Sequence, residues 1–204
     1  MTRDENPLPE PLSTLLKGRV WHATSFTNFD KIAEAGEIRP DAESRHRTAF
    51  CRSGGGVSLF DFRVSSTTIN DQFGNWHGWL GSNFEVEGGL AIWMCVNPAA
   101  IEFEDAPTLL QRWKDTPAVE PPHGMPYKPM IIPGVEACHC GPIPLDAVEG
   151  VVITDGKRLL AFDLIPAGPD LWAAVARRHA ADLASRPPKR SFYEVMGEAE
   201  ERGG

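Results

Sequence analysis

Hydrophobic positions along this chain fall into short blocks separated by glycine, proline and polar stretches, and each block has the period of one element. GLAIWMCVN (89–97) is a continuous apolar run bounded by Gly and Pro, which predicts a strand buried on both faces. GVSLFDF (56–62) has strand composition and follows the glycine hinge SGGG. Near the start, Val20 and Trp21 lead into His22, two small residues and a helix-capping candidate. FDKIAEAG (29–36) then carries Phe29, Ile32 and Ala33 at i, i+3 and i+4, a short amphipathic helix closed by Gly36.

Later blocks are equally short. PTLLQRWK (107–114) predicts a helix with Pro107 at its start. A strand is expected near 135–139, a short helical segment in the turn at 142–147, and strands at 149–154 and 158–164 joined as a hairpin across Asp155-Gly156. The stretch 170–184 has the pattern of an amphipathic helix. Between these, 41–56 reads as an arginine-rich loop, 66–89 as an Asn-, Gly- and Trp-rich tract covering a cleft without much regular structure, and 117–134 as a proline-laden loop. Residues 1–10 read as a flexible arm, 11–186 as one domain and 187–204 as a charged, frayed tail.

Short strands with few helices predict an α+β domain built on antiparallel sheets. A doubly wound parallel sheet needs strands alternating with longer helices, and that alternation is missing. No apolar run approaches the roughly 20 residues of a membrane span. The acidic, proline-rich beginning is unlike a secretory signal, so a soluble cytoplasmic protein is expected.

The net charge of −8 argues against broad binding of a phosphate backbone, although Arg39, Arg45, His46, Arg47 and Arg52 form a local basic cluster. Without a secretory signal, Cys51, Cys95, Cys138 and Cys140 are expected to be reduced thiols. Cys138-His139-Cys140 is too tight for the usual zinc knuckle, which spaces its ligands two to four residues apart. No metal is expected. Six tryptophans are expected mostly in the core or in a pocket wall.

GxGxxG and GxxxxGK[ST] are both absent, so a nucleotide would have to be held by other means. The segment Val20-Trp21-His22-Ala23-Thr24, followed by Asn28, Ile32 and Gly36, resembles the first NAD-binding motif of the ADP-ribosyltransferase superfamily. That superfamily includes poly(ADP-ribose) polymerases, RNA 2′-phosphotransferases and DarT-type enzymes. Gly56–Phe62 followed by Ser65-Ser66 resembles its second motif, with Ser58 where a stacking tyrosine is usual and Phe60 or Phe62 left to supply an aromatic face. Pro133-Gly134-Val135-Glu136-Ala137, then Gly141–Leu145 and Ile153, resembles the third, in which a strand carries the catalytic glutamate.

The resemblance implies split antiparallel sheets with short flanking helices, and transfer of ADP-ribose from NAD to a protein or nucleic-acid acceptor. Glu136 would be the catalytic carboxylate. His22, Ala23, Thr24, Asn28, Ser58 and Phe60 would line the NAD site, and Arg39 or Arg52 would pair with the pyrophosphate. An antitoxin or regulator is among the partners such an enzyme would have. Trp76, His77 and Trp79 in the 66–89 tract would recognise the acceptor. The alternatives are an RNA 2′-phosphotransferase-like enzyme and a non-catalytic nucleotide-binding module with the same fold.

Overall fold

The computed structural model describes residues 15–40, 49–76, 90–121, 123–155, 160–166 and 171–185. In chain order the strands are β1 (Val20–Ser25), β2 (Glu37–Ile38), β3 (Gly56–Asp61), β4 (Leu90–Val96), β5 (Glu136–Cys140), β6 (Ile143–Pro144), β7 (Val148–Asp155) and β8 (Leu160–Pro166). The helices are α1 (Phe26–Ala35), α2 (Phe50–Ser53), α3 (Ser66–Asp71), α4 (Ala106–Asp115) and α5 (Leu171–Ser185), with a 3-10 turn at Leu145–Ala147. Six strands form one antiparallel sheet in the order β5-β3-β1-β4-β7-β8, and β2 pairs with β6 beside it. The chain is an α+β protein.

Local chemistry explains the boundaries. Ser25 caps α1 by accepting the Asn28 N–H, and Gly36 ends it in the left-handed conformation with its own N–H on the Ile32 carbonyl. Asp105 caps α4 by accepting the Thr108 N–H, and Pro107 lies in the first turn, where no intrahelical N–H is needed. The expected hairpin is present as the β7/β8 pairing, although residues 156–159 of its turn lie outside the described set.

The pleat sorts the central strands into two cores. Trp21 and Ala23 of β1, Phe60 of β3, Trp93 and Cys95 of β4 and Val152 of β7 share one face with Phe62, Ile69, Trp76, Ile132 and Val135. Val20, Leu59, Ile92, Met94, Val151 and Ile153 share the other face with Phe29 and Ile32 of α1 and Leu171 and Val175 of α5. With both faces covered, β4 has no solvent side. Its sequence is therefore apolar throughout rather than alternating.

Two loop expectations are corrected. Part of the arginine-rich 41–56 segment is helical, because α2 buries Phe50 and Cys51. In the 66–89 tract Ser65 caps α3 through the Thr68 N–H. Trp76, expected at an acceptor surface, is fully buried: its indole N–H donates to the Ile69 carbonyl, and its ring meets Phe62 and Trp93 edge-on. A large aromatic beside two others gains more by filling a core than by facing water. His77 and Trp79 lie outside the described residues.

Candidate active site

The site begins where two central strands part. β1 pairs with β4 over six residues, from Val20 opposite Val96 to Ser25 opposite Ala91. Its pairing with β3 covers only Val20 opposite Asp61 and Trp21 opposite Phe60. From His22 onward β1 and β3 no longer pair, and their facing backbone groups have to find other partners.

Ser58 fills that role from the β3 side. Its carbonyl oxygen accepts a hydrogen bond from His22 Nδ1 at 3.1 Å, and its hydroxyl donates to Glu136 Oε1 at 3.0 Å. The second carboxylate oxygen, Oε2, accepts the Ile132 N–H at 3.0 Å. Val135 and Glu136 also donate their N–H groups to the Ile132 carbonyl, so the turn before β5 closes around the carboxylate it holds. Strand parity sets the directions. Ser58 and Glu136 project to the Phe60 face, Ser58 reaching diagonally to its partner, while His22 leaves β1 with Val20 on the α1 side. The bond to a backbone carbonyl is what joins the imidazole to the carboxylate side.

The electrostatics follow from burial. Glu136 is 5% exposed, and loss of solvation raises its pKa to about 7 against the opposing pull of the Ile132 and Ser58 hydrogen bonds and the Arg52 charge. His22 is lowered to about 4, chiefly by burial, with Arg52 adding to the fall and the Ser58 carbonyl opposing it. His22 is therefore neutral at physiological pH. A carbonyl can only accept, so the proton is on Nδ1 and Nε2 is the unprotonated, accepting nitrogen.

Beside this pair the structure contains a disulfide between Cys51 of α2 and Cys138 of β5. This corrects the expectation that all the cysteines are thiols; Cys95 and Cys140 are free. It also removes Cys138 from any metal-ligand reading. Cys138 stands directly opposite Ser58, and Gly56, the next residue of β3 on that face, passes beneath the two sulfurs. A Cβ on Gly56 would come within 2.6 Å of Cys138 Sγ, 2.7 Å of Cys51 Sγ and 2.9 Å of the His139 carbonyl. Gly56→Ala is accordingly expected to destabilise the protein by about 2–3 kcal/mol through overpacking. Urea midpoints would check this, and a change below about 0.5 kcal/mol would refute the close approach.

The remaining wall is tied together around the disulfide. Phe50, Cys51, Leu109 and Cys138 form a small buried cluster with Trp113 and Ile131 against it. Arg112 of α4 lies 4.6 Å over the Phe50 ring and is paired with Glu104, whose backbone in turn exchanges both hydrogen bonds with Cys138. Arg52 follows Cys51 in α2, and its charge acts on both His22 and Glu136.

No family model matches the chain, and no curated protein aligns with it significantly. The likeness to the ADP-ribosyltransferase superfamily is one of short motifs, and the residues of those motifs separate in space. His22, Ser58 and Glu136 are brought together, while Ala23 joins the aromatic core and Thr24 is buried on the strand between His22 and the helix cap. Phe60 is 2% exposed, its ring packed on Phe62 and Trp93, so it faces the core rather than the gap. Asn28 is exposed on α1, and Arg39 is bound to Glu37 at 2.6 Å, its side chain 65% exposed. Three contributors escaped the sequence reading: the Ile132 N–H, the disulfide and the clearance at Gly56. The glycine that opens β3 directly after Gly54-Gly55 was the one available signal, since a strand glycine can mark close approach.

Proposed function

We propose that the chain is an NAD-dependent ADP-ribosyltransferase with the split-sheet fold of that superfamily. The observation that supports this most is the hydrogen-bonded line from His22 through Ser58 to Glu136 across the parting of β1 and β3. It unites one residue from each of the three motifs in the order the superfamily uses them. Ser58 belongs to the machinery on this reading: it holds the carboxylate in place of offering a stacking face.

Glu136 as carboxylate stabilises the positive charge that develops on the ribose when the nicotinamide bond breaks. Nicotinamide leaves with the bonding electron pair, the acceptor's nucleophile bonds to the anomeric carbon, and its proton passes to solvent or base. Neutral His22 accepts a ribose hydroxyl through Nε2, and Thr24 or the backbone beside it holds the nicotinamide amide. Arg52 is assigned to the pyrophosphate ahead of Arg39, because it follows Cys51, whose disulfide partner Cys138 stands opposite Ser58, and its charge acts on both His22 and Glu136. The acceptor is a protein or a nucleic acid.

Incubating the protein with NAD labelled in the adenylate, and separately in nicotinamide, tests the reading. Release of nicotinamide with label transferred to an acceptor or freed as ADP-ribose is the expected result, and Glu136→Gln should suppress it. Binding of NAD without release from either protein would leave a nucleotide-binding module. No binding at all would end the proposal.

A further inference from the structure

The Cys51–Cys138 disulfide adjoins the Ser58–Glu136 pair on the same face of the sheet, and it anchors the four-residue helix that carries Arg52. So short a helix has almost no stability of its own, because nucleation is unfavourable and few backbone bonds repay it. What holds α2 is tertiary: the Cys51 link to β5, the Phe50 contact with Arg112, and the Phe50 N–H on the Met130 carbonyl. Of these only the disulfide is covalent, and it acts at the residue next to Arg52. Gly56 lacks a side chain where the sulfurs cross β3, so the cross-link seats α2 directly on the strand pair that bears Ser58 and Glu136.

We propose that this disulfide is a positioning element of the site, which fixes Arg52 beside the Ser58–Glu136 pair so that tight binding of a diphosphate-bearing nucleotide depends on it. The inference rests on the NAD reading above. Cys51 and Cys138 touch no substrate; they act through Arg52. A guanidinium makes its strongest bonds to phosphate in a planar, two-pronged geometry, and a tether one residue away limits how far that fork can stray.

Calorimetric titration of ADP-ribose into a double-mutant cycle tests it. Arg52→Ala should weaken ADP-ribose binding about tenfold, and Cys51→Ala/Cys138→Ala should weaken it by a similar factor. The triple variant should lose little more than either, because the same interaction has already gone. Nicotinamide riboside, which has no diphosphate, should bind all four proteins alike. Multiplicative losses in the triple variant, or full ADP-ribose affinity without the disulfide, would overturn the proposal.

A second variant covers the case in which the cysteine double variant does not fold. Exchanging neighbours, Arg52→Ser with Ser53→Arg, keeps the disulfide and the charge but turns the arginine away by one helix position. Positioning predicts the Arg52→Ala loss here too, and wild-type affinity would refute it. Should wild type bind neither NAD nor ADP-ribose, the functional reading fails; should it bind both while the cycle stays flat, the positioning role alone is lost.

Discussion

Glu136→Gln is expected to lower NAD turnover by about a thousandfold while making the protein more stable than wild type above pH 7. On the proposed reading, the rate loss follows from removing a buried negative charge that would stabilise a cationic transition state. The stability gain follows from the same burial. In the folded protein the Glu136 pKa is about 7, above its ordinary 4.5, so folding favours the protonated form. That favourable contribution is complete below pH 4.5 and is lost as pH rises through 7, where the fold must hold a buried carboxylate.

Glutamine has no such loss. It keeps the shape, its amide oxygen can accept the Ile132 N–H, and the Ser58 hydroxyl can turn to accept from its NH2. The variant should therefore gain on the order of 3 kcal/mol relative to wild type between pH 4.5 and 7. His22, with its folded pKa of about 4 below the ordinary 6.5, acts in the opposite direction: its contribution rises with pH from 4 to 6.5. It does so in both proteins and cancels in the comparison. Urea unfolding of the two proteins at pH 5 and pH 8 gives the difference directly, and parallel profiles would sink the assignment. In wild type, kcat/KM should climb through pH 7 as the carboxylate ionises.

Removing the disulfide has the largest expected effect on folding. Cys51 and Cys138 are 87 residues apart, and releasing a loop of that length returns enough entropy to the unfolded chain to cost about 4–5 kcal/mol. Both sulfurs are buried, so a pair of alanines also leaves a small void. The denatured state loses its cross-link and expands, which should steepen the dependence on urea. A lower midpoint together with a steeper slope is the expected signature for Cys51→Ala/Cys138→Ala. A loss under about 1 kcal/mol would contradict the chain-entropy account. Peptide mapping of the unreduced protein should find Cys51 and Cys138 protected from alkylation and Cys140 modified.

The elements were legible where their causes are local. The full apolar run at 90–96, the cap at Gly36, Pro107 at the head of α4 and the strands flanking Asp155-Gly156 each carry their signal within a few residues. Misreadings occurred where burial decides. Trp76 looked like a ligand-stacking residue and is a core residue, Phe60 looked like a pocket wall and packs on Trp93, and the arginine-rich loop hides a helix turned inward by Phe50 and Cys51. Composition does not tell which side of an aromatic meets the core.

By itself the sequence determined the α+β class and most residues of the strands in the six-stranded sheet, because periodicity and capping are properties of short segments; it missed the small β2/β6 pair, and it singled out Glu136 only through the motif resemblance. Only the tertiary structure decided that β1 and β3 part after Trp21, that Ser58 links residues 36 and 78 positions away from it, and that Cys51 reaches Cys138 over Gly56. Those facts depend on strand register and on which face each side chain takes, and register is set by packing the whole sheet at once rather than by any one strand.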